Sequence, residues 1–182
     1  MRTRYAPRNR RRILCVSPRY APSFGTFHYS YPLFGGRIRA FMPPQGLLVI
    51  AAYLPESWEV RFVDENARPA SEEELRWADA VFLSGMHVQR PFIDDVIARA
   101  HRLGRPAVLG GPSVSGCPEH YPAADLIQVG EMGDSTDAII RWLDEHDGRP
   151  ARPLRFDTGA RLPLTDFPLP AYHLIALGQY SI

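Results

Sequence analysis

The sequence predicts an α/β domain built on a parallel, doubly wound sheet, and three observations predict it. Short apolar runs alternate with segments of helical period over residues 12–148, the pattern of a parallel sheet covered by helices on both faces. Three of those runs end alike, in small or polar residues: Ala80-Val-Phe-Leu-Ser-Gly85, Ala107-Val-Leu-Gly-Gly-Pro-Ser-Val114 and Leu126-Ile-Gln-Val-Gly-Glu131. Strand ends of that kind imply one shared rim, and open α/β sheets bind ligands at the rim formed by their carboxyl ends. The composition, 45% hydrophobic and 23% charged, is that of an ordinary globular chain, and 182 residues suffice for one compact domain plus tails.

In chain order, residues 1–11 read as a basic leader. Arg2, Arg4, Arg8, Arg10, Arg11 and Arg12 precede the first acid, so the net charge of +1 hides a net negative remainder. No amphipathic period or basic domain backs this arm, which argues against a nucleic-acid partner. A disordered, solvated leader is expected, with contact to an anionic membrane surface as the alternative. Arg12-Ile-Leu-Cys-Val-Ser17 is the first strand, closed by Ser17-Pro18. Pro18 to Pro44 is too long and too rich in proline, glycine and aromatic residues for a turn. It reads equally as a functional cover or as an aromatic loop packed over the sheet edge.

Pro43-Pro44-Gln45-Gly46 opens a helix with Leu47, Ile50, Ala51 and Leu54 on one face, ended by Pro55. Trp58–Asp64 alternates as a strand. Ser71-Glu-Glu-Glu74 is a capping box for a short helix through Trp77. The strand Ala80–Ser84 follows. A helix then presents Ile93, Val96, Ile97, Ala100 and Leu103 before Gly104 stops it. The strand to Leu109, the strand Asp125–Val129 and a helix carrying Ala138, Ile139, Trp142 and Leu143 complete the alternation near Gly148. A Rossmann-like sheet of five strands over residues 12–148 is therefore expected. From Arg149 the periodicity dissolves among prolines 150, 153, 163, 168 and 170. Residues 149–182 read as a linker toward a further domain, so the chain reads as a fragment.

The totals exclude several chemistries. No apolar run approaches the roughly 20 residues needed to span a bilayer, and no signal-peptide core is present, so a cytoplasmic protein is expected. Cys15 and Cys117 are too few for a zinc or iron–sulfur cage of their own. A Gly-x-Gly-x-x-Gly fingerprint, a phosphate-binding loop and any lysine are missing. Gly111-Pro-Ser-Val-Ser-Gly116 offers hydroxyls, but no strand-to-helix elbow is evident around Ser113 and Ser115, which are expected to serve a turn. None of the six histidines pairs at a metal-ligand spacing. His87 stands apart because it follows the rim residues Ser84-Gly85. Glu131 either accepts a ligand hydrogen bond or caps the helix starting near Asp134. The rim thus offers glycine backbone, hydroxyls and one carboxylate, a binding surface for a large, mostly neutral ligand rather than an active site.

These pieces, in this order, resemble the N-terminal cobalamin-binding domain of B12-dependent radical SAM proteins. The residues carrying the resemblance are Ser17-Pro18, Pro43-Pro44-Gln45-Gly46-Leu47, Val63-Asp64, Ser84-Gly85, Gly110-Gly111-Pro112 and Val129-Gly130-Glu131. The wording of Met42-Pro-Pro-Gln-Gly46 and Ser84-Gly-Met-His-Val88 is most similar to the hopanoid C-2 methylase branch. The resemblance implies a cobalamin whose nucleotide tail meets Ser84, Gly110, Gly111, Gly130 and Glu131, with Gly85 and Pro112 also counted as cofactor-binding. The corrin ring would face the loop after Ser17 and the helix start at Pro44, Gln45 and Gly46. His87 is within range of the ring, though no motif assigns it. The Asp-x-His-x-x-Gly motif that supplies a lower cobalt ligand in methionine-synthase-like domains is absent, which implies base-off cobalamin with no histidine ligand. The cluster motif Cys-x-x-x-Cys-x-x-Cys is also absent. The [4Fe–4S] cluster, S-adenosylmethionine and C-methyl transfer would therefore belong to a C-terminal radical SAM domain outside this chain. Similar domains, as in magnesium-protoporphyrin ester cyclase-like proteins, suggest the alternative of an interaction module that binds no cobalamin. An apolar side chain filling the tail pocket, with Met86 and Met132 as candidates, would favour it.

Overall fold

The computed structural model describes Thr3 and residues 5–181. Arg2 and Arg4 of the basic leader lie outside the described residues. Among the described residues, six strands and five α-helices alternate: β1 (Arg12–Ser17), α1 (Gln45–Tyr53), β2 (Glu59–Asp64), α2 (Glu72–Trp77), β3 (Ala80–Ser84), α3 (Arg90–Arg102), β4 (Ala107–Gly110), α4 (Pro112–Gly116), β5 (Leu126–Val129), α5 (Asp134–Glu145) and β6 (Leu154–Asp157). All neighbours pair in parallel, in the order β2-β1-β3-β4-β5-β6.

Side-chain alternation along the strands splits the interior into two cores. Leu14, Val16, Val81, Leu83 and Leu109 meet Ile93, Val96, Ile97 and Ala100 of α3, with Leu75 of α2 and Val114 of α4 on the same face. Ile13, Cys15, Phe82, Val108 and Leu126 meet Leu47 and Ala51 of α1 and Ile139, Ile140 and Leu143 of α5 on the other. β1 is therefore buried on both faces from Ile13 to Ser17, as the continuous apolar run Ile13–Val16 requires of a central parallel strand. Each aliphatic side chain so buried contributes about 1.5–3 kcal/mol. The Ser71–Glu74 capping box starts α2 as expected, and Gly104, at φ +70°, follows α3.

The five expected strands are present, and a sixth joins them from the stretch read as a proline-rich linker. β6 pairs with β5 from Leu126↔Leu154 to Val129↔Asp157. Two features hide it in the sequence. Leu154-Arg-Phe-Asp157 is only four residues long, and its connection breaks a rule. The crossovers through α2, α3 and α4 step one way across the sheet on one face, while α1 steps the opposite way on the opposite face. Those four share one hand. α5 steps the same way as α3 but lies on the α1 face, so its crossover has the opposite hand. Parallel crossovers of that kind are rare.

The segment expected to be a free leader is tied down over its described residues. Thr3 N donates to Tyr53 O, at 2.9 Å. Tyr5 OH and the amides of Arg8 and Asn9 donate to the Asp144 carboxylate at 2.7–2.9 Å. Burial raises the Asp144 pKa, but these donors outweigh it and hold the carboxyl below its ordinary value.

Asp64 behaves in the opposite way. It ends β2 at 7% exposure, accepting from Asn66 N (2.9 Å), Asn66 Nδ2 (2.7 Å) and Tyr180 OH (3.1 Å). Burial outweighs these donors and raises its pKa. A raised carboxyl pKa favours the folded state below the ordinary carboxyl value. That advantage is lost as pH rises through the folded value. Asp64→Asn should therefore gain stability relative to the parent protein as pH rises from about 4, read as melting temperature against pH. Parallel profiles for the two proteins would refute this.

Candidate cofactor-binding site

A cavity of about 360 Å³ opens at the carboxyl ends of β3, β4 and β5, against the first turns of α1. Its floor is Phe82, Val108 and Gln128, each two residues before the rim residue of its strand: Ser84, Gly110 and Gly130. Period-two alternation puts all three on the α1 face. Gly46, Leu47 and Ile50 of α1 form the facing wall, and Met132 and Phe167 close the side. Among the described residues, Glu131 is the one charged side chain in the lining, and no histidine lines it.

The rim is shaped by backbone. Gly111, at φ +95°, sits so close to Ser84 that a Cβ there would fall 2.3 Å from Ser84 Oγ. Gly130, at φ +99°, is packed against Thr158, 3.2 Å from the position of a Cβ. L side chains rarely adopt such angles, so both strand ends present bare backbone. Gly130 N donates to Ser115 Oγ at 3.0 Å, which identifies Ser115 as the support of this turn. The Gln128 amide is held by Nε2 donating to Thr136 Oγ1 (2.9 Å) and Glu131 O (3.2 Å). Contrary to expectation, a strand-to-helix turn does occur here, because α4 begins at Pro112, immediately after Gly111. Its hydroxyls are nonetheless engaged, Ser115 as above and Ser113 with Tyr121 OH. Ser113 Oγ also lies 3.4 Å from His87 Nδ1, at the long end of hydrogen-bond range.

Seven of the residues singled out from sequence line the cavity: Gly46, Ser84, Gly110, Gly111, Pro112, Gly130 and Glu131. The other five do not line it. Ser17 is buried at the end of β1, its carbonyl accepting from Glu65 N. Pro44 precedes α1, and the Gln45 Oε1 accepts from Tyr172 OH at 2.8 Å. Gly85 has no room on its side-chain face, with Gln89 Oε1 and Ile93 Cδ1 each 3.1 Å from an added Cβ. His87 is exposed in the turn His87–Gln89, with Nδ1 3.4 Å from Ser113 Oγ. The residues missed were the floor and Phe167; Met132, named from the sequence as a pocket-filling candidate, does line the cavity. Counting back two from each rim residue would have found Phe82, Val108 and Gln128. Phe167 carries no local signal, because it arrives from the stretch after β6.

A parallel sheet with its cavity beside the point where strand order reverses, bare glycine backbone at the mouth and no acid–base pair defines a ligand-holding α/β module. Residues 32–140 match the B12-binding domain family, and the chain belongs to that family. It is 57% identical over 172 residues to the hopanoid C-2 methylase of Rhodopseudomonas palustris (strain TIE-1), covering 94% of this chain and 32% of that protein. It is 30% identical over 172 residues to an uncharacterized methyltransferase, sll1242, of Synechocystis sp., covering 93% of this chain and 31% of that protein. The chain thus spans about a third of the length of these curated relatives. Both the resemblance to cobalamin-binding domains and its hopanoid-methylase branch are borne out. Among the described residues, no helix is long and apolar enough to cross a membrane.

Proposed function

We propose that this chain binds cobalamin, with the nucleotide tail in the cavity at the ends of β3, β4 and β5. The cavity itself carries the reading. At about 360 Å³ it has the size of a small-molecule pocket. Phe82 and Val108 of its floor and the apolar α1 wall suit a flat heterocycle, and the bare strand ends at Gly110, Gly111 and Gly130 admit a ribose phosphate close to backbone. Leu47, Ile50 and Phe167 would exclude water from the tail. Ser84 and Ser115 would offer hydroxyls, the Gln128 amide a fixed dipole, and Glu131 an acceptor. Pro44 and Gln45 would face the corrin ring, with Ser17 and Gly85 supporting the rim from behind. The lack of an Asp-x-His-x-x-Gly motif in the sequence supports base-off binding with no protein imidazole on cobalt. When bound, cobalamin supplies a carrier for a methyl group.

In the whole protein we read this domain as the methyl-carrier unit of a cytoplasmic C-methyltransferase. A C-terminal radical SAM domain holding a [4Fe–4S] cluster and S-adenosylmethionine would act on a hopanoid-type lipid. The names of the two relatives support methyl transfer. A Cys-x-x-x-Cys-x-x-Cys motif is expected in the codons following Ile182, and a gene lacking one would rule out the radical SAM part. The rival reading, an empty interaction module, needs a side chain that fills the pocket. Met132 lines the cavity without filling it, and Met86 is 54% exposed and outside it.

Equilibrium dialysis of the purified chain against hydroxocobalamin tests the binding. About one equivalent should be retained, with a visible spectrum lacking a nitrogen lower ligand. No retention up to about 1 mM cofactor, a binding free energy weaker than ~4 kcal/mol, would overturn the proposal.

A further inference from the structure

Beyond the cobalamin cavity, the structure gathers metal-ligand chemistry that no sequence spacing shows. Cys117, Glu119 and His120 each place one ligand atom within 4.8 Å of the other two. The turn Pro118–His120 holds them on one short stretch, with His120 N donating to Cys117 O at 3.1 Å. Among the described residues, neither ring nitrogen of His120 has a hydrogen-bond partner. Its Nδ1 is shut off from solvent without a partner, and its Nε2 lies 3.9 Å from Glu119 Oε1. A buried polar atom left unpaired has lost its hydration with no bond in return, so such atoms are few in folded proteins.

A second imidazole stands beside the first. The rings of His87 and His120 are centred 5.5 Å apart. Two imidazoles bound to one tetrahedral ion at about 2.0–2.1 Å put their ring centres roughly 5 Å apart. The contact of His87 Nδ1 with Ser113 Oγ, at 3.4 Å, leaves Nε2 free to ligate. It is also the outer hydrogen bond that orients a ligating histidine. Ser113 is anchored in turn by Tyr121 OH.

We propose that Cys117, Glu119, His120 and His87 form a binding site for a divalent cation of the zinc class. Thiolate, imidazole and carboxylate together favour zinc over magnesium or calcium, which take oxygen ligands. Bond lengths of about 2.0–2.3 Å put tetrahedral ligand atoms roughly 3.3–3.8 Å apart, so the ion closes the cluster by rotamer adjustment. Bound there, it fastens the turn after β3, which holds His87, to the turn after α4, which holds Cys117–His120. Both turns adjoin the cofactor rim, but neither His87 nor the Cys117–His120 turn lines the cavity. The proposal therefore stands independently of cobalamin.

The test uses cobalamin-free protein titrated with Zn²⁺ against a colorimetric chelator, and with Co²⁺ as a spectroscopic probe. One equivalent of metal should bind, and Co²⁺ should show tetrahedral absorption with a thiolate charge-transfer band. The other cysteine, Cys15, is fully buried within β1, and burial raises its thiol pKa, so that band reports Cys117. Cys117→Ser should abolish the band. His120→Ala and His87→Ala should each weaken Zn²⁺ by more than about 100-fold, beyond the 10–100-fold typical of outer-shell partners. Glu119 is 70% exposed, so Glu119→Gln tests a ligand without endangering the fold and should also weaken binding. Circular dichroism confirms folding of each variant. A missing thiolate band in the parent protein overturns the site, as does parental affinity in Cys117→Ser, His120→Ala or Glu119→Gln. Parental affinity in His87→Ala overturns the four-ligand set.

Discussion

Gly46→Leu is expected to yield a protein that folds normally and binds cobalamin far more weakly. Gly46 lies in the first turn of α1 and forms part of the cavity wall. A Cβ added there meets nothing within 4 Å, and its backbone is helical, so the substitution carries no strain. Leucine is also the better helix former, by up to about 1 kcal/mol within a helix. The new side chain therefore consumes ligand space alone. Affinity for hydroxocobalamin should fall by about 100-fold or more, or ~2.7 kcal/mol, in equilibrium dialysis, while the melting temperature holds or rises slightly. Undiminished affinity would remove the cavity from the cofactor site, wherever else cobalamin bound.

Gly133→Ala should do the reverse, damaging the fold first. The backbone of Gly133 is extended, at φ 167°, so conformational freedom is not the issue. The obstacle is contact. A Cβ would lie 2.0 Å from Ala160 O and 3.0 Å from Arg161 Cα, main-chain atoms that cannot rotate away. Those atoms are pinned: Asp134 N donates to Ala160 O, Leu162 N donates to Met132 O, and the Asp134 carboxylate accepts from Gly159 N and Ala160 N. Room for one methyl group means displacing the exit from β6. A loss of about 3 kcal/mol is expected, the upper range for overpacking. For a chain of this length that is a fall in melting temperature of roughly 6–12 °C. An unchanged melting temperature would show that the segment after β6 yields freely.

The legible parts of this fold were those written in local periodicity. The run Ile13–Val16, the face Ile93, Val96, Ile97 and Ala100, and the capping box at Ser71 each declare an element within a few residues. The rim was legible for a related reason, since glycines after apolar runs mark strand ends where backbone must turn. What stayed hidden depends on distance along the chain. β6 is four residues long and reaches its place through a crossover of the rarer hand. The leader is held by Asp144, more than 130 residues away. Phe167 reaches the cavity from beyond β6, and the partnership of His87 with His120 joins two turns 33 residues apart. Gln128 lay between the two cases, a polar residue in an apolar strand whose partner, Thr136, is in the next helix.

The unusual hand of the α5 crossover bears on self-association. Without β6 the sheet would end on Leu126-Ile-Gln-Val129, an uncharged strand offering its unpaired backbone to any other chain, the usual template for edge-to-edge aggregation. β6 covers that edge completely, from Leu126↔Leu154 to Val129↔Asp157. The new outer edge carries Arg155 and Asp157, exposed and paired with each other at 2.6 Å. Charge on an edge strand discourages further strand addition. The strand that departs from the handedness rule is thus the one that lets this sheet stop growing.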